Sequence, residues 1–162
     1  QKAPIVPEAL QLVTYEESRR DELMIALEAS YQDTLDCPGL RGLRSTDDVI
    51  RGHQSTGHYD ASLWTLALVE DKPVGCVLIN ESSSGRQAEL VYLGLSPAAR
   101  GKGYGKVMTR HALSLAAGQR LRLLSLAVDM NNEPALTLYE SLGFSVTNHR
   151  LAVIRSARSL QD

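Results

Sequence analysis

The chain has 162 residues, of which 43% are hydrophobic and 22% charged, with a formal net charge of −2. That length suits one domain with little room for a second, and the balance of apolar and charged residues excludes a disordered or fibrous chain. The slightly acidic total excludes a domain built to coat nucleic acid, whose footprint is strongly basic, and apolar runs such as residues 66–69 and 74–79 fall well short of the roughly 20 residues that cross a bilayer.

Two cysteines, Cys37 and Cys76, are too few for a disulfide framework, and Cys76 lies in an apolar stretch that suits a small buried thiol. A reducing, cytoplasmic setting is the expectation. The opening residue is Gln1, so residues 1–162 are expected to form one domain that is either a processed product or excised from a longer chain.

In chain order, a short strand is expected at residues 10–15, then a helix at 17–31 that gathers Leu23, Ala26, Leu27 and Tyr31 on one face. Asp36-Cys37-Pro38-Gly39 reads as a turn, and Ser45 with Asp48 three residues on resembles a capping box opening a second short helix. Strands at 63–70 and 73–80 are close enough for an antiparallel hairpin. A third strand at 88–95 runs into a glycine-rich loop and a helix over 103–117. Residues 121–128 are apolar on both faces and read as a central strand covered on two sides. Asn132 caps a last helix with Pro134 in its first turn, Gly143 ends it, and a final strand is expected over 144–154. The fold class is α/β, a mixed and mostly antiparallel sheet flanked by helices. The strand, crossover helix and strand of 88–128 supply one parallel pair.

The segment richest in chemistry is Arg100-Gly101-Lys102-Gly103-Tyr104-Gly105-Lys106. Glycines between a strand and a helix let backbone approach a ligand where a Cβ would obstruct it, and the N–H groups at the helix start favour an anion such as a phosphate. Counting from Gly101, a dinucleotide fingerprint fails because Lys106 stands where its last glycine belongs. A nucleoside-triphosphate loop fails because Val107 follows Gly105-Lys106 where Ser or Thr is needed.

Two signatures resemble those of the GNAT superfamily of acyl-CoA-dependent N-acetyltransferases. One, R/Q-x-x-G-x-G/A, matches Arg100, Gly103 and Gly105; the other, N-x-x-A-x-x-L-Y-E-x-L-G-F, matches Asn132, Ala135, Leu138, Tyr139, Glu140, Leu142, Gly143 and Phe144. The resemblance is strongest over 88–144, whereas the first 60 or so residues agree in element order alone.

The resemblance implies acetyl-CoA as acyl donor, with its diphosphate in the cradle of residues 100–106, its pantetheine arm along the backbone of Leu93 and Leu95, and Asn132 touching the arm. Gly94 would mark a bulge that splays the parallel pair into a cleft, unless it serves only to relieve crowding. Tyr139 is the candidate acid that protonates the departing thiolate, with a core role as the alternative. Glu89 is the candidate base for the amine; by period two it shares a face with Val91, Leu93 and Leu95, although a bulge would change that parity. His53 and His58 have no Cys or acidic partner at ligand spacing, which disfavours zinc, and Cys37 has no basic neighbour to activate it. Arg41, Arg44, Arg51 and Asp36 fall where the family lines its acceptor site. The expected reaction is acetylation of a primary amine, a small molecule or a peptide N-terminus. The alternative is a silent acyl-CoA-binding or regulatory module, and a homodimer or a tandem second domain both stay open.

Overall fold

The computed structural model describes residues 4–40, 42–83, 85–151 and 153. Five strands form one sheet in sequence order: β1 (Gln11–Thr14), β2 (Trp64–Val69), β3 (Lys72–Glu81), β4 (Gln87–Leu95) and β5 (Leu123–Leu126). All neighbours are antiparallel except β4 and β5. The β2–β3 hairpin closes through Glu70 and Asp71, both at positive φ (50° and 59°), the two-residue turn whose twist matches that of the strands.

Alternation along the strands sorts the core into two layers. Leu66, Leu68, Cys76 and Leu78 face α1 (Arg20–Ser30) and α2 (Thr46–Gln54), where they meet Leu23, Ala26, Leu27 and Ile50. Ala67, Val77, Ile79, Ala88 and Leu90 face α3 (Tyr104–Gly118), which supplies Tyr104, Met108, Ala112 and Ala116 at helical spacing. Burial of a Leu or Met side chain contributes about 1.5–3 kcal/mol, so either helix is held mainly by its sheet-facing stripe. The polar Asn80 is fully enclosed, and satisfied: its Oδ1 accepts from Trp64 Nε1 at 2.8 Å, and its Nδ2 donates to the carbonyls of His53 and Thr56. It ties the end of α2 to the sheet.

Ser45 caps α2 as its spacing with Asp48 implied, accepting from Asp48 N. Asn132 caps α4 (Glu133–Glu140), and the chain turns out of α4 at Gly143, with Phe144 N–H bonded back to the Tyr139 carbonyl. Among the described residues no helix is long and apolar enough to cross a membrane.

Two expectations about the far side of the sheet are corrected. The strand expected to be central and doubly covered is β5, at the edge of the described sheet, with Leu123 60% exposed. Leu124 and Leu126 still pack against the α3-side core, and beyond β5 no described strand pairs. The final strand expected over 144–154 is absent from residues 144–151 and 153; 152 and 154 lie outside the described residues.

Candidate functional site

The parallel pairing of β4 with β5 covers only Gln87–Leu90 opposite Leu123–Leu126, and then the strands part. The cause lies on β4. Leu78 pairs with Tyr92 and Ile79 with Leu90, so Val91 is the extra, bulged residue. The bulge expected at Gly94 is therefore at Val91, and Gly94 has the other role considered for it. A Cβ there would lie 2.5 Å from Tyr92 Oη and 2.8 Å from both Cβ and Oγ of Ser30. Gly94 leaves room for the Ser30–Tyr92 hydrogen bond of 2.6 Å that joins α1 to the sheet.

Beyond the bulge the edge of β4 is open. Antiparallel partners alternate between bonded and non-bonded pairs. Ser96 N donates to the Val74 carbonyl at 2.7 Å, so counting back by two assigns Gly94 and Tyr92 to the bonded set. Leu93 N–H and C=O and Leu95 N–H then turn away from β3, toward the gap, while the Leu95 carbonyl accepts from Arg100 Nε. The bulge also reverses the parity expected for Glu89. Leu93 and Leu95 join Ala88 and Leu90 on the α3 face, whereas Glu89 pairs with Asn80 on the α2 face, with Val91 and Tyr92.

The gap opens into a cavity of about 820 Å3 bounded by Leu93, Gly94 and Leu95 of β4, by Gly101, Gly103, Gly105 and Lys106, and by Asn132 and Leu138. Gly101 and Gly103 are left-handed (φ 73° and 79°), which turns the chain into α3. The five backbone N–H groups of residues 101–105 donate to no described acceptor. Five unpaired donors at a helix N-terminus suit the oxygens of a diphosphate, and the wall residues beside them give it space. Lys106 lies on the wall, but Lys102 does not, and the Tyr104 side chain is buried in the α3 core.

Arg100, a member of the expected cradle, lines the larger cavity, and its guanidinium is engaged by backbone carbonyls. Its Nε donates to the Leu95 carbonyl at 3.0 Å, its Nη1 to Asp33 O at 3.0 Å, and its Nη2 to Ser30 O and Gln32 O at 2.9 and 2.7 Å. The guanidinium thus fastens the carbonyl-rich end of α1 to the loop that enters α3.

A second, smaller cavity of about 110 Å3 lies at the fork, between Leu90–Leu93 and residues 127–128, floored by Ala135, Leu138 and Tyr139 of α4. Tyr139 is 9% exposed and packs against Phe144 at 5.5 Å between ring centroids. Its hydroxyl has no hydrogen-bond partner among the described residues, and burial pushes its pKa up to about 12, with Asp36 adding to the rise. It is therefore a phenol with its proton in place, set between the diverging strands.

The wall opposite the glycine loop holds some of the residues expected to line an acceptor site and others besides. Asp36 lines both cavities, and the loop carrying it is clasped to the segment after β5: Asp129 N–H donates to Asp36 Oδ1 at 2.9 Å, and Cys37 N–H to Asp129 Oδ2 at 3.2 Å. Arg44 lines the larger cavity, but Arg51 is turned away into ion pairs with Asp47 and Asp48, and Arg41 lies outside the described residues. His53, whose spacing disfavours a zinc site, has a different place in the fold. It stands on the cavity wall, its ring 5.6 Å from that of Tyr92, with a buried Nε2 that has no partner among the described residues; burial, and then Arg44, lower its pKa to about 4. Tyr31 meets Tyr92 edge to face at 5.6 Å. The i, i+3, i+4 pattern that put Tyr31 on the inner face of α1 was the available signal; for His53 the sequence holds none.

A forked parallel pair beside a glycine loop with free N–H groups gives an α/β domain whose cleft suits an anionic ligand with an extended arm. The chain belongs to the acetyltransferase (GNAT) family, whose model matches residues 22–144. It is 34% identical over 88 residues to peptidyl-lysine N-acetyltransferase YjaB of Salmonella typhimurium, covering 54% of this chain and 53% of that one. It is 32% identical over 148 residues to the mycothiol acetyltransferase of Thermobispora bispora, covering 88% of this chain and 49% of that protein. The chain thus spans about half the length of these curated relatives. Its fold is that of Arabidopsis thaliana Naa50 in complex with the bisubstrate analogue CoA-Ac-MVNAL, with a TM-score of 0.64 and 23% identity over 86% of this chain and 85% of that one.

Proposed function

We propose that this chain is a single acetyltransferase domain that moves the acetyl group of acetyl-CoA to a primary amine, a small molecule or a peptide N-terminus, by direct attack. The observation that carries the reading is the continuity of the cleft: free N–H groups of residues 101–105 at one end, the open β4 edge at Leu93 and Leu95 in the middle, and the Tyr139 hydroxyl at the fork. The donor's diphosphate sits in the first, its pantetheine arm adds to the second as an extra strand, with Asn132 alongside, and its sulfur ends beside the third.

In the reaction the amine nitrogen bonds to the thioester carbonyl carbon, the C–S bond breaks, and the sulfur leaves with the electron pair. Tyr139 gives its proton to that thiolate. The ammonium loses two protons: one restores Tyr139, and the other leaves through Glu89 and water. Glu89 pairs with Ser125 at the last stretch before the strands part and shares the α2 face with Val91, which lines both cavities, so water carries the proton between the amine and Glu89. Such an enzyme works in a reducing, cytoplasmic compartment, which suits two free cysteines.

The test is release of free thiol from acetyl-CoA in the presence of a panel of primary amines and peptide N-termini. Tyr139→Phe is expected to lower turnover at least tenfold with the dissociation constant for acetyl-CoA near the wild-type value. Glu89→Gln is expected to shift the alkaline-rising limb of the pH–rate profile. Acetyl-CoA binding with no thiol release from any amine would favour the silent module instead.

A further inference from the structure

We infer that the acceptor is a zwitterion: its ammonium is drawn to the carboxylate of Asp36, and a carboxylate elsewhere on the same molecule is held by Arg44. The inference rests on the acetyl-transfer reading above and deepens it.

Asp36 sits where an amine must arrive. It lines both the main cavity and the small one at the fork, so its carboxylate flanks the route to Tyr139. Only its Oδ1 is engaged, by Asp129 N–H; Oδ2 accepts no hydrogen bond from any described residue. The clasp through Asp129 and Cys37 holds that carboxylate in place before any ligand arrives, which lowers the ordering cost of binding.

Arg44 supplies the opposite charge on the same wall. Its guanidinium lies against the backbone of α2 at Gly52, where an added Cβ would be 3.4 Å from Nη1, and it forms no ion pair with any described residue. The other basic groups of the cavity are otherwise committed. Arg100 is spent on four carbonyls, and Lys106 belongs to the glycine-loop end. Among the acids, Glu28 accepts from Thr46 Oγ1 at 2.7 Å, and Asp33, which also lines the larger cavity, does not reach the fork, where Asp36 does. Asp36 and Arg44 share a wall without neutralising each other. The rings of Tyr31, Tyr92 and His53 line the same cavity in contact with one another and offer a surface for the body of the ligand. A ligand with one charge of each sign satisfies both groups; a simple alkylamine leaves Arg44 unmatched, and a diamine sets like charge against it.

The experiment compares amino acids of increasing chain length with their own carboxamides and with the corresponding diamines, at equal concentrations of unprotonated amine, by thiol release from acetyl-CoA. For the chain length that fits, the free acid is expected to exceed its amide at least tenfold in kcat/KM. Arg44→Gln should bring that ratio close to one, and Arg44→Glu should turn the preference toward the diamine, a gain that loss of packing cannot produce. Asp36→Asn keeps the oxygen that accepts from Asp129 but removes the charge; it should raise KM for every primary amine at least tenfold while acetyl-CoA binding, followed by calorimetry, stays within twofold. Turnover with acids and amides alike, or Arg44 variants that leave the ratio as it was, overturns the inference and leaves the transferase standing. Absence of thiol release from every amine overturns both.

Discussion

At the glycine-loop end the cleft wall is backbone: N–H groups from residues 101–105 and the open edge of β4 at Leu93 and Leu95, backed by β3. At the α1–α2 end it is side chains, with Tyr31, Asp36, Arg44, His53 and Tyr92 brought from three separate stretches of chain. A backbone wall recognises what every acyl-CoA shares, phosphates and amides, and is insensitive to side-chain identity except where a Cβ would intrude. A side-chain wall recognises what distinguishes one acceptor from another and can change without touching the first.

That contrast makes the backbone end the more fragile. A Cβ on Gly75 would lie 2.3 Å from the Gly94 carbonyl oxygen and 3.2 Å from Leu95 Cα, both backbone atoms of the strand that borders the fork. Backbone cannot swing aside as a side-chain tip can. Gly75→Ala is expected to cost about 3 kcal/mol in a urea titration, the largest effect anticipated for a single methyl group in this cleft. If the unfolding midpoint of that variant matched wild type, β3 would not be the rigid back of the fork.

Next in size is Arg100→Lys. The ammonium reaches one or two of the four carbonyls that the guanidinium holds, so α1 should loosen from the loop entering α3. A loss of about 2 kcal/mol is expected, together with weaker acetyl-CoA binding, because the same clamp fixes the start of the glycine loop. Calorimetric binding and thermal melting on one preparation separate the two effects.

The side-chain end has its own signature in pH. His53 is held neutral in the folded state, with its pKa lowered to about 4 against an unfolded value of 6.5. Between those values the unfolded chain binds the proton that the folded chain refuses, so stability falls as pH drops from 6.5 toward 4. From pH 7 to pH 5 this contribution is of the order of 1–2 kcal/mol. His53→Gln should flatten that part of the stability–pH curve, and an unaltered slope would assign the dependence to other groups.

The same contrast explains what could be read before the fold was seen. The glycine loop, the Asn132 cap, Tyr139 and the exit at Gly143 are written in local spacing, because each depends on residues a few positions apart. The inner face of α1 and the β2–β3 hairpin are local in the same sense. The bulge at Val91 is not: it follows from how β3 and β4 settle their register, and Gly94 was a plausible but misleading marker. Nor could the apolar run around β5 reveal that it lies at the edge of the described sheet, since apolarity reports burial against something without saying what. Arg100 matched a family position, yet its partners are carbonyls up to 70 positions away in sequence. The Asp36, Arg44 and His53 group is assembled the same way, from a loop and a helix whose meeting no short-range pattern encodes.

The smallest expected stability effect sharpens the contrast most. Gly103 combines the two reasons for a glycine, a left-handed φ of 79° and a place on the cavity wall, and none of the described residues lies within 4 Å of where its Cβ would be. Gly103→Ala should therefore cost only the conformational strain, about 1 kcal/mol. Asn enters the left-handed region more readily than Ala, so Gly103→Asn should recover much of that loss. Acetyl-CoA binding is expected to behave differently. If the wall must let phosphate oxygens reach the N–H groups on either side, any Cβ obstructs them, and both variants should bind at least tenfold more weakly whatever their stability. Affinity restored by Asn along with stability would mean that Gly103 serves the turn alone and that the close approach is made elsewhere in residues 101–105. Melting curves and calorimetric titrations of the two variants, side by side, decide between conformation and access as the reason for that glycine.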